Sequence, residues 1–456
     1  MSIERSAREA EAFLAANPDV TGFQLVLTDS CGVGRGKILR REELARVYTH
    51  GRFLPGSILG LDITGADVEE TGLVWDDGDA DRTCWPIAGT LVRAPWLATP
   101  SAHFLVTMHE LDDTPSPGDP RHALKRVVDR CTAEGFTPVI AVELEFYVMD
   151  RARDGNGKRQ PPASPSTGHR PSQMQAYSLV DLDDMQPFIA DIYAACEPQG
   201  IPARTLISEY SPGQLEIVLQ HRSDALRAVD EAILYKRTVR GIAAKHGFDA
   251  TFMAKPYAQY SGSGMHLHMS LEDGKGRNLF ADENPEGSPL LRQAVGGMAA
   301  TMAEATGIFA PNANSYRRFR RNSYAPMAPS WGVNNRSVSL RVPAGTAETR
   351  HIEHRVAGAD ANPYLVAAAV LAGAHHGIRN KMDPGPAVQG NGYEQIKETV
   401  PVNWYAAMDR TENSALLKDY LGTRFMEIYC AIKRAEQDRF FSQVTELDYD
   451  WYLRTA

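Results

Sequence analysis

The chain has 456 residues, 43% hydrophobic and 23% charged, with a formal net charge of -9. That composition is globular, and the length suits two or three domains. The acidic balance excludes a chain drawn as a whole to nucleic acid or to anionic membranes.

Five cysteines, Cys31, Cys84, Cys131, Cys196 and Cys430, form no CxxC pair and are odd in number. They read as buried structural thiols in a reducing compartment. The charged, amphipathic N-terminus lacks the apolar core of a signal peptide. The longest apolar stretch, NPYLVAAAVLAGAHHGIRN, is too short and Ala-rich to cross ~30 Å of hydrocarbon. A cytoplasmic protein without membrane or nucleic-acid partners is therefore expected.

In chain order, residues 3–16 read as a helix and FQLVLTD (23–29) as a strand. A Gly-rich turn, SCGVGRGK, leads through KILRR to the helix EELARVYTH. Short strand-like segments continue to about residue 113. The Pro/Gly linker TPSPGDPR (114–121) marks a boundary. HALKRVVDRCTAEGF then reads as a helix and TPVIAVELEFYVMD as a strand. Residues 151–175 are polar and Pro-rich, a loop. Helices over 181–198 and 223–246 flank strands around Glu209 and Glu216. Strands near 265–271 and 336–342 precede helices 362–380 and 414–445. No GxxxxGK[ST] or GxGxxG motif appears, so any nucleotide must be held by another architecture.

Four segments carry chemistry. In AVELEFYV, period-2 alternation sets Glu143 and Glu145 on one strand face, with Val142, Leu144, Phe146 and Val148 on the other. Two adjacent carboxylates repel unless a cation lies between them; a plain acidic surface is the bland alternative. In SEYSPGQLEIVLQ, the turn Ser211-Pro212-Gly213 sets Glu209 and Glu216 across a hairpin. In GSGMHLHMSL, His266, His268 and Ser270 share a face after a flexible Gly-Ser-Gly, and imidazole can ligate a metal or donate to phosphate. Arg336 and Arg341 belong to one strand region, and Glu353 and Arg355 to one face of another. These arginines either neutralise the carboxylates or serve an anionic ligand. Two hard divalent ions plus a triphosphate need such a set. The cluster Arg317, Arg318, Arg320, Arg321 suits an anionic substrate better than nucleic acid. His375 and His376 read as helix-end residues, and Tyr393 as a surface tyrosine.

Together, ELEF, the E-x₆-E hairpin, GSGMHLHMSL, NSYRRF, NNRSVSLRVP and IEHRVAGADANPYL resemble, in this order, the glutamine synthetase superfamily. The resemblance extends to VLTDSCGVGRGK near the N-terminus. It implies an α+β fold: a small β-grasp-like N-terminal domain (1–113) and a catalytic domain (114–456) on a curved antiparallel sheet. It also implies residue roles. Glu145, Glu209 and Glu216 would hold one metal ion, and Glu143, His266 and Glu353 a second. The ions would be Mg²⁺ or Mn²⁺, two or more per site, with ATP as cosubstrate. Arg318 would grip the α-carboxylate of glutamate, and Gly262 would approach its amino group. Arg336 and Arg355 would stabilise the γ-phosphoryl group. Arg341 and His268 would contact nucleotide phosphates, with Ser270 near the nucleoside. Asp29 would reach into a neighbouring subunit's site beside the incoming amine. A homo-oligomer of two stacked hexameric rings, a dodecamer, would share active sites between subunits.

Departures bear on the substrate. Ammonia-using members carry a flap segment resembling P-G-Y-E-A-P; here RRNSYAP sets Tyr324 at the Glu position. Ser261 replaces the usual Asn before GSGMH, and the Glu-to-Glu hairpin is one residue shorter. A neutral aromatic suits a larger amine with an apolar part. These features resemble ligases that join putrescine, other polyamines or alkylamines to the γ-carboxylate of glutamate. Ammonia-dependent glutamine synthesis, a methylamine or ethanolamine ligase, and an inactive structural relative are the competing readings.

Overall fold

A computed structural model describes residues 5–456. The first helix spans Arg8–Ala16, shorter at its start than expected; residues 3 and 4 of that expectation lie outside the described residues. Strand β1 (Gly22–Thr28) buries Phe23, Leu25 and Leu27 at 0–2% exposure, as its alternation predicts. The tight turn after it feeds β2 (Gly34–Arg40), so part of the Gly-rich segment is strand. Strands β3 (Arg52–Pro55), β4 (Asp81–Pro86), β5 (Val92–Arg93) and β6 (Ser101–His109) complete a six-stranded sheet. Its order is β2-β1-β6-β4-β3, with β5 on β6. The β1–β6 pair is parallel and the others antiparallel, which is a β-grasp arrangement. Ile428 and Ile432, from the helix Thr423–Phe441, join this sheet's core.

The second sheet is built on β7 (Thr137–Asp150). The others are β8 (Ala203–Ser208), β9 (Gln214–Leu219), β10 (Phe248–Thr251), β11 (Met265–Glu272), β12 (Trp331–Val333), β13 (Leu340–Val342) and β14 (Ile352–His354). The order is β12-β13-β14-β11-β7-β9-β8, with β10 also on β7. The sheet is curved. All its pairs are antiparallel except β12–β13, which is parallel.

One face of this sheet is apolar because every second residue is. Val142, Leu144, Phe146 and Val148 on β7, Leu267 and Met269 on β11, and Leu215, Ile217 and Leu219 on β9 are at most 2% exposed. They share one core with the 21-residue helix Ala225–Lys245. Asp224 starts that helix by accepting from the Arg227 N–H at 3.0 Å.

The helix Pro289–Thr301 was not among the expected elements. It packs on Pro363–Arg379 at glycines: a Cβ at Gly297 would lie 2.1 Å from the Gly373 carbonyl oxygen and 2.5 Å from the Gly377 Cα. Only bare backbone allows that approach. The expected helix 414–445 is instead two, Ala415–Leu421 and Thr423–Phe441, and a further helix, Glu446–Tyr452, follows. Gly422, at φ 101°, is the break between the first two. Tyr393 is not on the surface: it is 8% exposed, and its carbonyl accepts from Arg321 at 2.7 Å. His375 is buried, with its ring 2.8 Å from the Tyr420 hydroxyl. No helix among the described residues is long and apolar enough to cross a membrane.

Candidate active site

The polar residues line the other face of the second sheet, and strand register sets them in a row. Arg341 on β13 pairs with Glu353 on β14, and Glu353 with His268 on β11. His266 pairs with Glu143 on β7, and Glu145 with Glu216 on β9. Glu216 faces Ile207, and Glu209 lies two residues beyond Ile207 at the hairpin tip. The two hairpin carboxylates are therefore diagonal, not directly opposite. The Glu209 N–H donates to the Gln214 carbonyl at 2.9 Å.

The contacts are close. His266 Nδ1 is 2.5 Å from Glu143 Oε1 and 3.7 Å from Glu353 Oε1, and its Nε2 is 3.9 Å from Glu145 Oε1. His268 Nε2 is 3.3 Å from Glu143 Oε2. Two triads bring ligand atoms within 4.8 Å of one another: Glu143–Glu216–His266 and Glu143–His268–Glu353. Glu143 belongs to both because β7 lies between β11, which carries both histidines, and β9, which carries Glu216. Neither triad includes Glu145 or Glu209. Sequence reasoning divided the ligands three and three without sharing and kept His268 for phosphate; the geometry groups them differently. Oxygen and imidazole donors at this spacing fit hard divalent ions.

Electrostatics points the same way. Burial, then Glu143, Glu145 and Glu209, pushes the Glu216 carboxyl up to about 11. Burial and Glu209 push Glu145 up to about 8, against Arg318 and the Gly264 N–H. Burial and Glu143 raise Glu209. Glu143 is held well below the carboxylate range: burial opposes this, but His266 and His268 prevail. Glu353 falls to about 2, with Arg355 and the two histidines overcoming burial. Without added positive charge these carboxylates cannot all ionise.

The arginines divide by partner. Arg355 donates to Glu353, and Arg341 Nη1 donates to Glu353 Oε2 at 2.8 Å. The Nε atoms of both are buried without a partner among the described residues, so each keeps a donor for an anion. Arg336 lies exposed in the turn before β13, not on a strand, and its charge lowers the Glu209 pKa. Ser270 shares the face of His266 and His268 on β11. Arg318 is 5% exposed and donates to the Val356 carbonyl at 2.7 Å. That burial removes it from any exposed basic patch of residues 317–321.

Gly262 and Gly264 make room for Arg318. A Cβ on Gly262 would meet Arg318 Cγ at 2.7 Å, and one on Gly264 would meet His266 Nε2 at 2.8 Å. The Gly264 N–H donates to Glu145 Oε2 at 2.8 Å.

Asp29 lies in the turn between β1 and β2. It is 0% exposed, and its carboxylate accepts from the N–H groups of Cys31 at 2.9 Å and Val33 at 2.8 Å and from Arg35 at 2.8 Å. A short acid followed by a tight turn satisfies its own backbone.

Tyr324 is 50% exposed with φ 56° and stacks on Tyr210. Sequence reasoning missed three residues. Gln214 bridges Glu145 Oε2 at 3.2 Å and the Gly262 carbonyl at 3.0 Å. His351 Nε2 lies 3.1 Å from His268 Nδ1. Tyr210 is the third. Gln214 and His351 are two residues from Glu216 and Glu353, so strand alternation could have found both.

Comparison with known proteins agrees with this geometry. Residues 117–452 match the family model of the glutamine synthetase catalytic domain. The gamma-glutamylputrescine synthetase PuuA of Escherichia coli (strain K12) is 41% identical over 451 residues, 98% of this chain and 95% of that protein. A glutamate–isopropylamine ligase of Pseudomonas sp is 32% identical over 449 residues, covering 95% of each. A solved GmaS/ADP complex superposes with TM-score 0.84 at 27% identity, covering 97% of this chain and 99% of that one. The chain belongs to the glutamine synthetase family.

Proposed function

We propose that the protein is an ATP-dependent carbon–nitrogen ligase that joins an amine to the γ-carboxylate of L-glutamate, with putrescine or a related polyamine or alkylamine favoured. The observation that carries this is the Glu/His row flanked by arginines with free Nε donors, beside a flap bearing Tyr324 rather than an acid. The names of the Escherichia coli and Pseudomonas relatives support the amine as acceptor.

A carboxylate does not react with an amine at neutral pH. Phosphoryl transfer from ATP makes the γ-carboxyl carbon electrophilic, the amine attacks it, and phosphate leaves. Glu143, His266, His268 and Glu353 would hold one edge of the metal set; Glu145, Glu209 and Glu216 the other. Bound divalent ions would supply charge compensation at the phosphate oxygens. Arg355, Arg341 and Arg336 add fixed positive charge there. Arg318 and Gly262 would orient the α-carboxylate and amino group of glutamate. An alkylammonium, with a pKa near ~10, must lose a proton before attack. Glu209, directly before Tyr210 at the hairpin tip, is the site carboxylate beside the flap and would take that proton. Asp29 is the internal anchor of the loop that would reach a neighbouring site.

We also propose the division at 113/114, with the helix Thr423–Phe441 returning to the first sheet, and a dodecamer. The five free cysteines suit the cytoplasm. A panel of amines assayed for glutamate-dependent phosphate release should rank putrescine or an alkylamine well above ammonium, with light scattering giving a mass of twelve chains. Ranking ammonium first, or a fully active monomer, would overturn the corresponding proposal.

A further inference from the structure

The tip of the β8–β9 hairpin and the flap loop approach each other through two tyrosine rings. Tyr210 directly follows Glu209. Its ring centroid is 6.0 Å from that of Tyr324, with planes 29° apart. The rings are 42% and 50% exposed. Both supports are tied down. On the hairpin side the Ser261 N–H donates to Ser211 Oγ at 2.9 Å. On the flap side Ser323 Oγ donates to the Arg320 carbonyl at 2.6 Å. Asn322 and Tyr324 both take left-handed backbone, φ 57° and 56°. That conformation is rare for an aromatic residue, and such backbone concentrates at functional sites.

Two held aromatic faces therefore stand open to solvent beside a buried carboxylate cluster. A small ammonium ion covers little of them. A methylene chain buries apolar ring surface, and a remote ammonium is attracted to a ring face. We propose that Tyr210 is a specificity-determining residue whose ring forms, with Tyr324, a two-ring wall for the carbon chain and remote cation of the incoming amine. The wall sets the reacting nitrogen on the Glu209 side. This inference rests on the amine-ligase reading above.

The test is steady-state kinetics of the full-length enzyme with putrescine, butylamine and ammonium, with glutamate and ATP KM measured alongside. Tyr210→Ala is expected to raise the KM for putrescine and butylamine roughly five- to thirtyfold, while the glutamate KM moves less than twofold. Tyr210→Phe, which keeps the ring, should restore the amine KM to within about threefold. If Tyr210→Ala folds poorly, Tyr210→Leu keeps apolar bulk without a ring and should weaken putrescine more than butylamine. An amine KM unmoved in both variants would overturn the proposal, as would glutamate and amine KM rising together. The identity of the wild-type product, read by mass spectrometry, tests the underlying reading separately. A wild-type enzyme making only glutamine defeats that reading, whatever Tyr210 does.

Discussion

Stripping divalent ions with a chelator is expected to lower the thermal midpoint, and to lower it more at pH 8 than at pH 5.5. The reason lies in the carboxylates that burial and mutual repulsion push up: Glu145 to about 8 and Glu216 to about 11. In the unfolded chain a glutamate titrates near ~4.3. Above that value the unfolded state has lost protons that the metal-free fold still holds. The stability of the metal-free protein therefore falls as pH rises through the interval between the two pKa values. Glu353, held at about 2, has the opposite sign and matters only below ~4.3. Bound ions replace the protons, so the metal-loaded protein escapes the loss and the gap widens with pH. Metal binding at pH 7 should release protons from Glu145 and Glu216, read by calorimetry in buffers of different ionisation enthalpy. Equal gaps at both pH values, with no proton release, would exclude this account. Glu143 belongs to both triads, so Glu143→Ala should be the most damaging single substitution. Loss of charge compensation worth several kcal/mol corresponds to a fall of ~10³-fold or more in kcat/KM.

How much of this was legible before the structure depended on period and distance along the chain. Alternation placed Glu143 and Glu145 on one face of β7, and His266, His268 and Ser270 on one face of β11. A period of two is enough to assign faces. The resemblance supplied the order of segments and hence the β-grasp and curved-sheet halves. Register was not legible. It makes Glu143, rather than Glu145, the residue shared by two triads, and it brings His268 to Glu353. Asp29 shows a second limit: nothing in LTDSCG told that its carboxylate accepts from two backbone N–H groups and from Arg35. Arg336 read as part of a strand with Ser337, Val338 and Ser339 after it, yet the strand starts only at Leu340. The helix Pro289–Thr301 was overlooked although its signals are present: Ser288 and Pro289 start it, and Leu291, Ala294, Val295 and Met298 are buried at helical spacing.

Replacing Tyr324 with glutamate is expected to move the amine preference toward ammonium. Tyr324 is half exposed at the flap and stacks on the residue after Glu209, so an introduced carboxylate would stand near the amine entrance. There it would pair with a small cation and remove a ring face from a longer chain. A hydrogen bond to a charged group is worth ~1.5–3 kcal/mol. The ratio of kcat/KM values for ammonium over putrescine should therefore rise roughly ten- to a hundredfold. The new charge adds to the repulsion already felt by Glu209, so the gain should be largest at saturating divalent ion and fade as the metal is lowered. Tyr324→Phe separates ring from hydroxyl and should keep the wild-type preference. If Tyr324 only packs the flap, both activities of Tyr324→Glu fall together, and discrimination lies elsewhere. The exposed Trp75 and the 51–65 loop of a neighbouring subunit are then the residues to vary. A wild-type enzyme that prefers ammonium at equal concentration would leave glutamine synthesis itself as the activity.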